Sequence, residues 1–455
     1  MTTEQRHRDL PLDSLSSSLS GRLTAPADPA YDAERSPWNL AVDQRPAAIA
    51  HPESADDVRA ILRFARDSGT TVAVQPNGHG ASSALEGAIL TRTAAFDRLE
   101  VDAEARTAVI GAGVAWGAVI GALEGTGLAV PSGTSSVVSP AGYLLGGGHS
   151  WLSRSVGLGA QSLRAAWIVR PDGTHERVDD ASDPDTMWAL RGAGGTVGIV
   201  TELEVDVLEA PTLFGGSLQF AADDGAAVLR AVRDAAADAP EGLGLFVSTM
   251  RMPNAPMLPP EVRGQSFMTV DVLARAEADL APLGAVRAAA TPVREQLGPT
   301  SQAAMAAMSM EPSDPTPSRG GSIALDDLPD ATIDELLAWR ARPEQAPLIG
   351  ITLRMLGGAL DAPARPAFAN LAGASWLAMG LAPLFPGPPP EAGAAALAGL
   401  DALLRPHASE RMVPTFLGED DSLERCATAD DIARLRAIRD AADPSRVLHE
   451  GRLPR

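Results

Sequence analysis

The sequence contains no lysine, and all 37 of its basic residues are arginine. Without a lysine ammonium group there is no P-loop lysine, no lysine Schiff base for pyridoxal phosphate and no lysine general base. Enzyme classes that depend on such a lysine are therefore excluded by residue type alone.

Cysteine and long apolar runs are nearly absent as well. Cys426 is the single cysteine, so neither an intrachain disulfide nor a cysteine-based metal site can form. No run of 18 apolar residues occurs, and the N-terminus lacks the apolar stretch of a secretion signal. The net charge of −21 argues against nucleic acid and anionic membranes as partners, because both attract positive surfaces. We therefore expect a soluble cytoplasmic protein.

The length of 455 residues predicts two or three domains. Residues 46–210 alternate short apolar runs with amphipathic segments, as in an α/β arrangement. Ser54 with Asp57 predicts a capped helix that ends at Gly69, and a strand is expected at 71–74. Beyond residue 210, Ala-rich helices alternate with strands, which predicts a second α+β domain. A strand is also expected near Met412, before a C-terminal helix.

Glycine is abundant, with 43 residues that cluster in loops. The clusters lie at 111–113, 146–148, 192–195 and 357–358, and none matches the G-x-G-x-x-G fingerprint. Such turns allow backbone N–H groups to approach a large anionic ligand. In one more glycine turn, directly after the strand at 71–74, His79 lies between Gly78 and Gly80. A lone histidine is more often structural, and by itself this setting indicates little more than a tight loop after a strand.

Four motifs carry a resemblance to a known family. They are Gln75-Pro76-Asn77-Gly78-His79-Gly80, the segment from Gly127 through Pro131-Ser132-Gly133-Thr134 to Gly146-Gly147-Gly148, the run Trp188 to Thr201, and Asp443-Pro444 with Val447-Leu448. In order and spacing they resemble the FAD-binding domain of the vanillyl-alcohol oxidase and p-cresol methylhydroxylase superfamily. Within it they look most like the berberine bridge enzyme-like oxidases. The resemblance covers residues 37–208 and 411–449.

The resemblance implies a two-domain α+β fold of the p-cresol methylhydroxylase type. Residues 1–209 would form the FAD-binding domain, 210–410 a substrate domain with an antiparallel sheet covered by helices, and 411–455 a segment that returns to the first domain. It also implies a set of cofactor-binding residues. These are Gln75, Pro76, Asn77, Gly78, His79, Gly80, Ala81, Pro131, Gly133, Thr134, Ser135, Ser139, Gly142, Gly147, Gly148, Gly195, Ile199 and Val200.

The same resemblance implies that the flavin is bonded covalently to His79 through its 8α position. Relatives with two covalent bonds carry a cysteine where this chain has Ser135, so we expect a single link. The implied reaction is hydride transfer from a substrate C–H to flavin N5, with O2 as the electron acceptor. We expect no nucleic acid or membrane partner beside the small-molecule substrate.

Arg354 and Tyr143 are the candidate catalytic residues. Many relatives use a tyrosine or a glutamate of the substrate domain as a base. Tyr31 and Tyr143 are the only tyrosines and neither belongs to that domain, so a tyrosine base there is excluded. Packing is the alternative role for Tyr143, and an ion pair or surface position is the alternative for Arg354. For His149, which follows Gly148, a position near the flavin is the alternative, and we expect a structural role with a hydrogen bond to the backbone.

The second domain is poor in aromatic residues and rich in methionine. Methionines in a pocket would adapt to an irregular apolar ligand, although they more often fill a core. This composition favours a small, largely apolar alcohol or amine as substrate, such as an intermediate of secondary metabolism. The methionines are Met250, Met252, Met305, Met308, Met310, Met355 and Met379.

Two other functions stay open from the sequence. A flavin-dependent oxygenase, which inserts oxygen from O2, is compatible with the missing tyrosine base. A flavin-binding protein without catalytic activity is the other alternative. It is suggested by four departures from the family pattern, at Gln75, Ser135, Gln161 and Thr196.

Overall fold

The computed structural model describes residues 10–210, 212–256, 258, 260–309, 311–384, 389–419 and 421–453. The strands are β1 (Arg22–Thr24), β2 (Ala48–His51), β3 (Val72–Val74), β4 (Ile89–Thr91), β5 (Leu99–Asp102), β6 (Thr107–Gly111), β7 (Leu128–Ala129), β8 (Leu163–Val169), β9 (His175–Asp179), β10 (Ile199–Asp206), β11 (Leu208–Glu209), β12 (Leu213–Ala221), β13 (Leu243–Arg251), β14 (Ser266–Ala274), β15 (Arg294–Thr300), β16 (Ser318–Leu325), β17 (Gly350–Met355) and β18 (Trp376–Pro383). The α-helices are α1 (Leu12–Ser16), α2 (Tyr31–Arg35), α3 (Ala55–Ser68), α4 (Trp116–Leu123), α5 (Pro140–Leu145), α6 (Ser153–Val156), α7 (Pro184–Ala193), α8 (Gly225–Ala237), α9 (Leu283–Ala289), α10 (Gln302–Met308), α11 (Asp330–Arg340), α12 (Pro390–Leu404) and α13 (Ala429–Ala442).

The first sheet is small and has the order β1-β2-β4-β3. Strands β2, β4 and β3 are parallel, and α3 connects β2 to β3. The capped helix expected there is confirmed. Its N-cap Ser54 accepts a 3.2 Å hydrogen bond from the Asp57 N–H, and Gly69 ends it with a φ of 68°. The loop with His79 leaves the carboxyl end of β3, the edge at which open parallel sheets bind ligands.

The second sheet has the order β5-β6-β10-β8-β9 and is antiparallel throughout. Its buried face packs on α4, α5 and α7 in one hydrophobic core. Because α5 and α7 carry two of the glycine-rich motifs, this core fixes the position of both motifs relative to the sheet.

The third sheet has seven antiparallel strands in the order β15-β12-β14-β13-β17-β18-β16. Side chains alternate between the two faces of a strand. Leu353 and Met355 of β17 point to the face that packs on α8, α9, α11 and α12. Thr352 and Arg354 therefore lie on the other face, where Arg354 pairs in register with Phe246 of β13. This face is turned toward the first two sheets.

The C-terminal segment packs against the first sheet. The Val72 N–H donates to the Val447 carbonyl at 2.8 Å, and the His449 N–H donates to the Val72 carbonyl at the same distance. The strand expected near Met412 is wrong, since this stretch holds a short 3₁₀ turn at Pro414–Phe416. Proline lacks the N–H that a strand ladder needs, and the Thr415 N–H bonds to the Gly146 carbonyl instead.

The predicted fold class is confirmed, including an antiparallel sheet covered on one face by helices. The domain boundaries at 209 and 410 stay predictions.

Candidate functional site

A cavity of about 570 Å³ lies between the first two sheets and the uncovered face of the third. It brings together most residues that the motifs had singled out. The predicted site residues that line it are Gln75, Pro76, Asn77, Gly78, His79, Gly80, Gly133, Thr134, Ser135, Ser139, Gly142, Tyr143, Gly195, Ile199, Val200 and Arg354. Of the methionines named above that the structure describes, only Met379 lines the cavity. Met310 lies outside the described residues.

The loop after β3 is held by contacts on both sides. Its Asn77 carbonyl accepts a hydrogen bond from the Trp38 N–H at 2.9 Å, and its Asn77 amide donates to the Val137 carbonyl at 2.9 Å. Gly78 has a φ of +85°, and a Cβ there would lie 2.6 Å from the Pro37 Cβ. Only glycine fits this position, because both the conformation and the space exclude a side chain.

His79 carries an imidazole without a hydrogen-bond partner among the described residues. Its ring stacks on Trp38, with centroids 4.2 Å apart, and neither Nδ1 nor Nε2 is bonded. Burial lowers the pKa of His79 to about 4. The imidazole is therefore neutral at pH 7, and one ring nitrogen keeps a free lone pair, which is the form that acts as a nucleophile.

Three glycines leave open space at the wall of the cavity. A Cβ built on Gly80, Gly142 or Gly195 would meet no protein atom within 4 Å, although all three residues line the cavity. The bare backbone at these points lets a ligand approach closely. This arrangement suits a large cofactor that packs along glycine-rich turns.

Four predicted cofactor residues lie outside the lining: Ala81, Pro131, Gly147 and Gly148. The two glycines serve the packing behind the wall. A Cβ on Gly147 would lie 2.8 Å from Ala369 and Val413, and a Cβ on Gly148 would lie 2.4 Å from the Tyr143 ring. The Gly148 N–H also donates to the Thr415 Oγ1 at 2.9 Å, which fixes the turn.

Gln75 stands where the family pattern has an arginine, and the structure places another arginine beside it. Arg92 donates to the Gln75 Oε1 at 2.9 Å, and its second terminal nitrogen donates to the Glu34 carbonyl at 2.8 Å. Although residue 75 is a glutamine in this chain, the guanidinium of Arg92 therefore still lies behind the loop.

Arg354 faces the cavity from the third sheet. Its guanidinium carbon lies 4.5 Å from the Phe246 ring centroid and 5.2 Å from that of Phe416. Tyr143 and His149, from the glycine-rich segment, lie near Arg354 and are almost fully buried.

The polar atoms of this cluster are unpaired. The Tyr143 hydroxyl and both His149 ring nitrogens have no hydrogen-bond partner among the described residues. The expectation that the backbone bonds His149 is therefore wrong. Burial raises the pKa of Tyr143, and burial together with the Arg354 charge holds the pKa of His149 well below its ordinary value. Tyr143 stays protonated and His149 stays neutral at pH 7.

Sequence reasoning did not identify Phe416 and Glu311, which line the cavity, or Phe246, which lies beside Arg354. Glu311 lines the cavity and its carboxylate accepts a hydrogen bond from the Thr134 hydroxyl. No local signal marks these three, because a strand, a loop and the C-terminal segment bring them together only in the folded chain. The chain has few aromatic residues, and this scarcity was the one sequence feature that could have drawn attention to the two phenylalanines.

The comparisons with known proteins agree with this geometry. Residues 46–179 match the FAD binding domain family. Among curated proteins, FAD-dependent monooxygenase FUP4 of Fusarium proliferatum is 37% identical over 175 residues, which cover 38% of this chain and 34% of that protein. (R)-6-hydroxynicotine oxidase of Paenarthrobacter nicotinovorans is 32% identical over 196 residues, which cover 43% of each chain. These matches thus span well under half of the relatives' own length.

Likeness of fold extends over the whole chain. The solved structure of Physcomitrella patens BBE-like 1 superposes with a TM-score of 0.85 at 18% identity, covering 97% of this chain and 99% of that one. Residues 46–179 thus match an FAD binding domain, and the fold of the chain is similar to that of a berberine bridge enzyme-like protein. More specifically, the resemblance to the berberine bridge enzyme-like group is confirmed in the FAD-binding domain and in the fold.

The residues present fit FAD, since the open glycine faces leave room along the cavity for a long cofactor and the buried His79 imidazole lies at the same wall without a partner among the described residues. Within the described residues, no helix is long and apolar enough to cross a membrane. The same residues contain no group of three or more His, Cys, Asp or Glu side chains that could hold a metal ion.

Proposed function

We propose that the protein is an FAD-dependent oxidoreductase that oxidises a small alcohol or amine and passes the electrons to O2. The observation that carries this proposal is the cavity itself. One wall has the glycine turns and His79, and the opposite wall has Arg354, Met379 and the neighbouring Phe416. A cofactor along the first wall and a small molecule against the second would share one cavity. One of its relatives is named (R)-6-hydroxynicotine oxidase, which supports oxidase chemistry.

The flavin is tethered through His79 alone. The neutral imidazole with its free lone pair supports this assignment, and Ser135 in the cavity wall offers no thiol for a second bond. Protein precipitated with acid should keep its yellow colour. A colourless pellet with free FAD in the supernatant would contradict the tether while leaving the oxidoreductase proposal intact.

Bound FAD supplies the acceptor for a hydride from the substrate carbon. The chain's own residues bind and orient the substrate beside it. Tyr143 stays protonated and can donate a hydrogen bond. Burial lowers the pKa of Arg354, but a guanidinium keeps its charge in proteins, so Arg354 brings a cation to this wall. The apolar side chains of Met379 and Phe416 exclude water from the same wall.

Glu311 is our candidate for the group that accepts the hydroxyl or amine proton. It is a carboxylate from the second half of the chain that lines the cavity, and Thr134 orients it by a hydrogen bond. Glu311→Gln should lower kcat by about 10²–10⁴-fold and leave flavin content unchanged. An unchanged kcat would exclude Glu311 from this role.

Anaerobic mixing with candidate alcohols and amines tests the reaction class. Bleaching of the flavin absorbance by a substrate, followed by recovery on admission of air, supports the oxidase. If no candidate bleaches the flavin yet ligands bind, the proposal of an oxidase fails. Incorporation of oxygen-18 from O2 into the product would instead support a monooxygenase, the activity named for the Fusarium relative.

A further inference from the structure

Arg354 is a buried cation without a counter-charge or acceptor in direct contact. The residue is 8% exposed, and its guanidinium forms neither a hydrogen bond nor an ion pair with any residue that the structure describes. An isolated charge removed from water is expensive, and buried charges are normally paired or hydrogen bonded. A ligand that supplies the missing acceptor would therefore stabilise this buried charge.

Other buried arginines of this chain show the usual arrangement. Arg154 donates to the carbonyls of Leu243 and Ala239, at 3.0 and 2.9 Å. Arg340 donates to the Gln345 and Leu348 carbonyls at 3.0 and 2.9 Å. In these two arginines the buried guanidinium group is thus bonded to backbone carbonyls. Arg354 differs because its N–H groups line the cavity and are left unpaired.

Two aromatic rings fix the orientation of this guanidinium. Phe246, which itself stacks on Trp151 with centroids 3.6 Å apart, and Phe416 both lie over Arg354 at cation–π distance. The central carbon of the guanidinium lies over both rings, and its planar N–H edge forms no hydrogen bond with a described residue. That edge matches the two oxygens of a carboxylate, which accept parallel hydrogen bonds.

The remaining polar groups near Arg354 do not neutralise it. Tyr143 and His149 are neutral at pH 7, and each has an unpaired polar atom of its own. Glu311 is the nearby carboxylate that acts on the Arg354 charge, but it is not within ion-pair distance and is bonded to the Thr134 hydroxyl. Among the described residues, Arg354 is therefore a cation of the cavity wall without a bonded acceptor, and the Tyr143 phenol lies near it.

We infer that Arg354, assisted by the Tyr143 hydroxyl, binds the carboxylate of an anionic substrate. This inference rests on the proposed function and narrows it, from a largely apolar alcohol or amine to one with an apolar body and an acidic group. The reduced flavin is the other source of negative charge that could occupy the same N–H edge, and the experiment distinguishes the two.

Calorimetric titration of the holoprotein with benzoate, and with benzamide as its neutral isostere, tests the inference. The wild type should bind benzoate at least about tenfold more tightly than benzamide, since hydrogen bonds to charged groups are the stronger ones. Arg354→Met should remove this preference, and Arg354→Lys should retain part of it. Arg319→Met deletes an exposed arginine of β16 and should leave the preference unchanged.

A further variant should change the affinity for benzoate in the opposite direction. Glu311→Gln removes a nearby negative charge, so it should tighten binding of benzoate and leave that of benzamide unchanged. Circular dichroism confirms that each variant is folded before titration.

Two outcomes overturn the inference. One is equal affinity of the wild type for benzoate and benzamide, and the other is a preference that survives in Arg354→Met. The flavin is tested separately through its midpoint potential without added acid. If Arg354→Met lowers that potential while benzoate binding is unaffected, Arg354 serves the reduced flavin and the substrate inference is overturned. Because calorimetry does not depend on flavin reduction, a failure of the proposed oxidation would be seen independently as absent bleaching.

Discussion

Gly142 offers a change that should stabilise the fold and weaken cofactor binding together. It lies inside α5 and lines the cavity, and an added Cβ would touch no protein atom within 4 Å. Replacing a helical glycine by alanine stabilises a protein by about 0.5–1 kcal/mol. At about 2–4 °C per kcal/mol, the flavin-free protein should gain about 1–4 °C in Tm.

The same substitution places atoms in the space that we assign to FAD. A methyl group intrudes slightly, whereas Gly142→Val adds three carbon atoms. Forcing extra carbons into a packed contact costs about 1–3 kcal/mol, so the Kd for FAD should rise roughly 5- to 150-fold for the valine variant. The alanine variant should fall between the wild type and the valine variant.

The assay requires flavin that can be removed and added back, so both variants are made in the His79→Ala background. Thermal unfolding of the flavin-free protein gives Tm, and flavin fluorescence gives the Kd. Gly121→Ala is the matched control, since Gly121 lies in α4, its Cβ position is equally open, and it does not line the cavity. It should gain similar stability and bind FAD normally. Normal FAD binding by Gly142→Val would refute the assignment of the cofactor to this wall.

Three further predictions follow from the same structure. His79→Ala should yield a folded protein whose flavin is lost on acid precipitation, whereas Ser135→Ala should keep the wild-type covalent yield; denaturing gel fluorescence measures both. Because burial lowers the pKa of His79 to about 4, the unfolded chain binds more protons than the folded one between pH 4 and about 6.5. The free energy of unfolding of the flavin-free protein, measured in urea, should therefore fall as the pH drops through this window. In His79→Gln the slope of this free energy against pH should be smaller by up to about 1.4 kcal/mol per pH unit. Identical slopes in the variant and the wild type would contradict the burial of this ring. Cys426 is buried and its thiol pKa is raised to about 12, so a thiol reagent should label the protein only after unfolding, and fast labelling of the native form would show that the thiol is accessible.

Local sequence patterns predicted the elements around the cofactor wall well. The strand at 71–74 and the helix capped by Ser54 are where the apolar residues and the cap residues placed them. The stretch at Met412 was wrong because its apolar residues resemble a strand, while Pro414 and the bonds of Thr415 to the Gly146 carbonyl produce a turn. Residues such as Gly147 were assigned to the cofactor on motif position, and the structure shows them packed on the chain behind the cavity.

The opposite wall depended on tertiary structure. Arg354 was a candidate from its place in a strand, but nothing local distinguished a ligand-binding arginine from an ion-paired one. Its character comes from the register that pairs it with Phe246 and from the return of the C-terminal segment that places Phe416 over it. The expected backbone bond of His149 failed for the same reason, since partners of a buried side chain are set by distant segments.

By itself, the sequence determined which chemistry is available. The lack of lysine, the single cysteine and the two tyrosines exclude whole classes of mechanism, and the glycine turns around His79 specify a loop that can close on a cofactor. These are properties of composition and of a few consecutive residues. Only the tertiary structure decided which polar groups are buried without partners, because burial and pairing depend on residues far apart in the chain. The unpaired guanidinium of Arg354, close to the rings of Phe246 and Phe416, is the feature that the folded molecule adds.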